Sequence, residues 1–139
     1  MKYKCITGGP ISENCYLLID EKTNQAAVVD PGFLNDALLN EIKNNTVQRI
    51  LSDTRPFCTT FGRLTACTRC SVCRCAPMRR KRRLQRTISK TDSLLMMYES
   101  VTCKVHEAFK DGETFQIGEV PVTVLHTPGH TAGGVSYIT

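Results

Sequence analysis

Three stretches of this chain carry side chains that could do chemistry. The first is Cys67-X-X-Cys70-X-X-Cys73-X-Cys75, four thiols within nine residues. Thiolates in fours hold tetrahedral zinc or an iron–sulfur cluster. A structural zinc site usually joins two separated cysteine pairs across a folded loop. Here the four are crowded, with Arg69 and Arg74 among them. The second stretch is Arg79-Arg80-Lys81-Arg82-Arg83, a dense positive run of the kind that releases counterions from a polyanion. No aromatic residue lies between Phe61 and Tyr98 to stack on bases. Salt-sensitive adhesion is therefore expected of it, with no specific nucleic-acid partner and no membrane. The third feature is Thr127-Pro128-Gly129-His130-Thr131-Ala132-Gly133-Gly134, together with Val28-Val29-Asp30-Pro31-Gly32 far upstream. Each sets one polar side chain beside a Pro/Gly turn. Without context a histidine after Pro-Gly is a polar loop residue, so its flanks must decide its role.

The elements that would position these residues are legible at both ends of the chain. Tyr3–Thr7 is expected as a strand and Gly8-Gly9-Pro10 as a turn. Asn14–Asp20 reads as a second strand, closed by a polar turn over Glu21–Asn24. Ala26–Val29 is a short apolar strand ending at Asp30-Pro31-Gly32. Leu34, Ala37, Leu38, Leu39 and Ile42 recur at helical spacing, with Asn44-Asn45 to stop the helix. Val47–Leu51 is the next strand. Further on, Glu99–Val105, Phe115–Ile117, Val120–Leu125 and Gly134–Ile138 read as strands, and Lys110-Asp111-Gly112-Glu113 as a turn.

Between Ser52 and Ser93 no period of 2 or 3.6 is sustained. Composition changes there too. Residues 51–93 hold 11 of the 18 Lys+Arg and only Asp53 and Asp92 as acids, a local charge of +9; the remainder carries 7 basic and 11 acidic residues, a charge of −4. Every arginine but Arg49 falls between Arg55 and Arg86, and five of the eight cysteines crowd the same stretch. Cys5, Cys15 and Cys103 read as small buried thiols, His126 as a structural strand residue and His106 as an exposed one. At 139 residues one domain at most is expected. Met1-Lys2-Tyr3-Lys4 is followed by no apolar run of signal-peptide length, and no run approaches a membrane span, so a cytoplasmic location is expected.

Residues 1–50 and 94–139 resemble the metallo-β-lactamase fold superfamily. Within it they look most like small bacterial hydrolases related to hydroxyacylglutathione hydrolase (glyoxalase II). The matching residues are Gly9-Pro10 with Asn14-Cys15-Tyr16-Leu17, then Val28-Val29-Asp30-Pro31-Gly32, then Phe115-Gln116-Ile117-Gly118, then His126-Thr127-Pro128-Gly129-His130-Thr131, in the family's order. The resemblance implies an α/β fold: an αββα sandwich with a metal site on one edge. There one or two ions, Zn²⁺ by family expectation, generate a hydroxide that attacks a thioester, ester or amide carbonyl. Water is a poor nucleophile at neutral pH, and bound zinc can lower its pKa to about 7. On that pattern His130 is the metal-binding histidine. Asp30 is a carboxylate beside the site that orients a ligand rather than bonding the metal.

The family's principal motif, His-X-His-X-Asp-His, should follow the strand ending near Leu51. No histidine occurs between Met1 and Val105. One imidazole cannot hold a catalytic zinc, which takes about three protein ligands. The later bridging aspartate and final histidine of the family would lie past Thr139. The chain therefore reads as one partial domain, family-like over 1–51 and 94–139, truncated, with an aberrant middle at 52–93 that is out of frame or disordered. As written it should hold zinc poorly and be inactive, so no catalytic residue is assigned. Codons for Ser52-Asp53-Thr54-Arg55-Pro56-Phe57, read with the first base dropped, permit Leu-Thr-His-Gly-His-Phe, which resembles the opening of the missing motif. The alternative is a small Cys-rich protein binding zinc or an iron–sulfur cluster through Cys67, Cys70, Cys73 and Cys75.

Overall fold

The computed structural model describes residues 1–9, 12–52, 71–75, 107–129 and 133–139. Two sheets and one helix account for the described elements. The strands are β1 (Lys2–Gly8), β2 (Glu13–Asp20), β3 (Gln25–Val29), β4 (Thr46–Leu51), β5 (Ser71–Cys75), β6 (Glu107–Phe109), β7 (Thr114–Ile117), β8 (Val120–His126) and β9 (Val135–Ile138); the helix is α1 (Asp36–Asn44). A six-stranded sheet runs in the order β1-β2-β3-β4-β5-β6, and a three-stranded sheet in the order β7-β8-β9. Strands β1 to β3 are antiparallel, whereas β3 to β6 are parallel to one another. The crossover from β3 to β4 contains α1. A parallel pair needs such a connection, because a hairpin cannot return the chain to the same end.

Strand β3 explains the layering. Its run Ala26-Ala27-Val28-Val29 is buried at every position because both of its faces are covered. Ala26 and Val28 join Cys15, Leu17, Ile19, Phe33, Leu38 and Ile50 in a core under the helix. Ala27 and Val29 join Leu51, Phe109, Phe115, Ile117, Val122, Val124 and Val135 in a core between the sheets. The sequence-expected αββα sandwich is thus represented by three successive layers, helix, large sheet and small sheet, among the described residues.

Helix α1 starts where Asn35, in extended conformation, accepts a hydrogen bond from the Leu38 amide at 2.9 Å. Asp36 in the first turn and Lys43 in the last suit the helix dipole. Leu38 is buried, with Leu34 and Ile42 packed beside it. Leu34 lies just before the helix, which begins two residues later than the apolar spacing suggests. Lys4 on β1 pairs with Glu41 at 2.6 Å and ties the helix to the sheet edge.

The end of the sandwich formed by the β2–β3 and β7–β8 turns is closed. Asp20, only 3% exposed, accepts hydrogen bonds from Thr23 Oγ1 at 2.7 Å, the Glu119 amide at 3.0 Å and the Lys22 amide at 3.2 Å. These donors hold its carboxyl below the usual range, led by the Glu119 amide and then Thr23. Gly118 makes the approach possible. It turns at φ +60, and a Cβ there would collide with Thr23 Oγ1 and the Asp20 carboxylate. Because β3 begins and β7 ends here, the carboxyl ends of β3, β4 and β8 all emerge at the opposite rim.

Among the expected strands, β1 to β4 and β7 to β9 match within a residue or two. Strand β6 falls where no element was expected, and the expected strand over Glu99–Val105 lies outside the described residues. Strand β5 falls inside the stretch 52–93 and pairs with Arg49–Leu51 on one side and Glu107–Phe109 on the other.

Candidate functional site

Parallel strands deliver their carboxyl ends to one rim, and loops leaving such a rim are where α/β sheets bind ligands. Asp30 is the first polar group there. It leaves β3 at φ +50, a conformation that L-residues adopt sparingly and that Asp tolerates better than most. Its amide donates to the Leu51 carbonyl at 3.0 Å, and its own carbonyl accepts from the Gly32 amide at 2.8 Å. Pro31 between them is buried. Ser12 and Asn24 share this left-handed backbone, so it marks a tight strand exit at Asp30 and not a site by itself. Gly32 is equally constrained: a Cβ there would collide with the Glu13 carboxylate. A Cβ at Gly8 would lie 2.6 Å from the Phe33 ring, so the β1–β2 hairpin presses directly on the loop after Asp30.

The exit of β4 lies beside the Asp30 backbone. Leu51 is fully buried and Ser52 is 3% exposed. The Ser52 carbonyl accepts a hydrogen bond from the Tyr137 hydroxyl at 2.9 Å, across from the small sheet. The end of β8 is fixed as well. The His126 amide donates to Asp111 Oδ1 at 2.7 Å. The Thr127 amide donates to the Gly134 carbonyl at 2.9 Å, and the Thr127 and Ser136 hydroxyls share a hydrogen bond at 2.9 Å. The loop bearing His130 is therefore cinched at its base, with Thr127, Pro128 and Gly129 exposed on the rim.

Beneath the rim the chemistry is muted. Burial pushes the Cys15 thiol up to about 12 from 9.0, with the charges of Asp30, Cys5 and Glu13 adding to the effect. A thiol that stays protonated is no nucleophile. Between the sheets the Arg49 guanidinium lies 5.0 Å from the Phe115 ring centre and 5.9 Å from that of Phe109, a cation–π arrangement. Phe109 and Phe115 stack at 4.7 Å, and Tyr137 meets Phe115 edge-on at 6.4 Å.

The sequence-expected residues divide clearly. Asp30 stands on the rim. His130 lies outside the described residues, as do His106, Cys103, Cys58, Cys67, Cys70 and the run Arg79–Arg83. Cys73 and Cys75 belong to β5, where their backbones pair with Leu51 and Glu107 and with Phe109 respectively. His126 ends its strand exposed rather than buried in it. Cys15 is buried as expected, but Cys5 is exposed: it faces outward on the sheet's edge strand, where the small sheet does not reach. Sequence reasoning missed Tyr137 and Asp111. Tyr137 could have been found from the period-2 spacing that puts it on the inner face with Val135, and Asp111 sits in a turn already marked by its glycine.

The described residues contain no group of three or more His, Cys, Asp or Glu able to hold a metal ion. The rim donors on view are the carboxylates of Asp30 and Glu13. A catalytic zinc takes about three protein ligands, commonly imidazoles, plus an open position. The described residues alone do not fit such an ion.

Comparison with known proteins places this geometry. No protein-family model matches the chain. An uncharacterized protein of Aquifex aeolicus (strain VF5) is 27% identical over 144 residues, covering 96% of this chain and 63% of its own length. The BLEG-1 B3 metallo-β-lactamase superposes with a TM-score of 0.78 at 25% identity, covering 98% of this chain and 66% of its own. The fold is that of the metallo-β-lactamases. TTHA1623, solved in a di-iron-bound form, gives a TM-score of 0.74 at 20% identity over 97% of this chain and 66% of its own. ETHE1 from Myxococcus xanthus gives 0.67 at 21% over 99% and 53%. The chain thus spans less than two thirds of the length of each of these metallo-β-lactamase-fold proteins. Among its described residues no helix is long and apolar enough to cross a membrane.

Proposed function

We propose that this chain descends from a metal-dependent hydrolase of the metallo-β-lactamase fold, glyoxalase II-like, that cleaves a small thioester or ester in the cytoplasm. The observation that carries the reading is the rim itself. The Asp30 turn, the β4 exit at Ser52 and the cinched base of the Thr127–Gly134 loop stand together at the carboxyl ends of β3, β4 and β8. His130 is the metal ligand this chain keeps, and zinc is the expected ion. Bound zinc would supply a nucleophilic hydroxide and polarise the carbonyl. Asp30 would orient a ligand at that position, and the loop base would fix where His130 stands.

As written, the chain lacks the partners of His130. We attribute this to a shift of reading frame across residues 52–93, whose charge of +9 and lost periodicity set them apart. Two proteins made side by side test this: the chain as given, and one with the alternative frame restored through codons 50–95. The first is expected to purify with far less than one zinc per chain and no thioester turnover. The second should bind zinc stoichiometrically through the restored histidines and His130, and lose it in His130→Ala. Stoichiometric zinc and turnover in the chain as given would overturn the proposal.

A further inference from the structure

Tyr137 has no place in the chemistry above, yet it touches both halves of the rim. Its ring sits between the sheets, half-buried and edge-on to Phe115. Its hydroxyl reaches from β9 to the carbonyl of Ser52, 85 residues away in sequence. Ser52 is the residue at which the chain leaves β4, and the preceding carbonyl, on Leu51, accepts from the Asp30 amide. Tyr137 also shares its short strand with Ser136, whose hydroxyl meets Thr127 at the base of the His130 loop. Tyr137 therefore holds the β4 exit directly, and reaches the Asp30 turn through the Leu51 backbone and the Thr127–Gly134 loop through its strand neighbour Ser136.

We propose that Tyr137 is a positioning residue, clamping the β4 exit to the small sheet so that the exits of β3, β4 and β8 keep a fixed spacing. The physical case rests on burial. Ser52 is 3% exposed, and the phenol gives its carbonyl a partner from the opposite sheet. The clamp belongs to the rim on which the proposed hydrolase site rests, but it is tested without metal or substrate, so its failure and that of the hydrolase reading are separable.

Tyr137→Phe keeps the ring and removes the hydroxyl. Amide exchange measured by NMR is expected to speed up roughly five- to tenfold at Asp30, as loss of one net hydrogen bond implies. The Leu51 and Ser52 backbone resonances should move while those of Val28 and Val124 stay in place, and the thermal midpoint should fall by a few degrees. Thr127→Val, which removes a different hydrogen bond of the same loop, should leave Asp30 exchange unchanged. In the unsubstituted protein the Tyr137 hydroxyl proton should be protected from solvent. An unchanged Asp30 amide in Tyr137→Phe would overturn the proposal. So would resonance shifts spread equally over Val28 and Val124, which would make Tyr137 packing alone. A freely exchanging phenol proton would do the same even if the variant failed to fold.

Discussion

The two ends of the sandwich are built on opposite principles. At the closed end, Asp20 is buried and saturated with donors, Gly118 lets two turns touch, and the polar atoms face each other rather than solvent. At the rim, Thr127 to Gly129 are exposed, and the hydrogen bonds fix the starts of loops instead of filling a core. The closed end serves stability and is complete within the described residues. The rim is a frame for side chains that the loops must supply. A sequence that alters the loops can therefore keep the frame and lose the chemistry.

The largest effect should come from breaking the closed end at its tightest contact. Gly118→Val adds a branched side chain at φ +60, against Thr23 and Asp20. It is expected to cost about 3 kcal/mol or more, as strain at a special backbone position combined with a buried clash. Urea unfolding would measure it.

Next in size is the alkaline limb set by Cys15. Its folded pKa is raised to about 12 from 9.0, so the folded state holds a proton that the unfolded state releases. Its contribution is complete below pH 9, declines above it and is gone near pH 12. Melts of the wild type and Cys15→Ala across that window should converge as pH rises. In the native protein near pH 8, a thiol reagent should label Cys5 readily, while Cys15 should label only on unfolding.

Asp20 gives the mirror image. Its carboxyl is lowered from 3.8, so its contribution is present above that pH and is lost as pH falls through the lower folded value. Asp20→Asn should flatten the acid limb of the stability curve, and acid titration followed by circular dichroism would detect it.

The smallest effect, opposite in sign, belongs to the rim. Asp30→Gly relieves the φ +50 strain and should leave stability unchanged or raise it by less than about 1 kcal/mol. A substantial loss of stability would mean that Asp30 serves the fold as Asp20 does, and the contrast between the ends would fail.

Local pattern carried much of this architecture. The apolar run Ala26–Val29, the helical spacing of Leu34, Leu38 and Ile42, and the turn at Lys110–Glu113 are short-range signals set by periodicity and turn chemistry. The contacts that define the two ends were not legible. Asp20 meets Glu119 from 99 residues away and Tyr137 meets Ser52 from 85, and no local rule couples such positions. Strand β6 went unseen because three residues are too few to show alternation. Cys5 was misjudged because composition cannot tell a covered strand from an edge. Asp30 was legible through the family resemblance that its Asp-Pro-Gly turn carries, though its left-handed backbone was not.

The central claim is that the rim belongs to a metal-dependent hydrolase whose ligand-bearing stretch is written here in the wrong frame. Reading the source DNA across codons 50–95 tests it most directly. The account predicts base insertions or deletions whose correction yields a His-Gly-His stretch two residues after Leu51 and restores the family-like frame near Leu94. An intact frame matching the sequence throughout would contradict it.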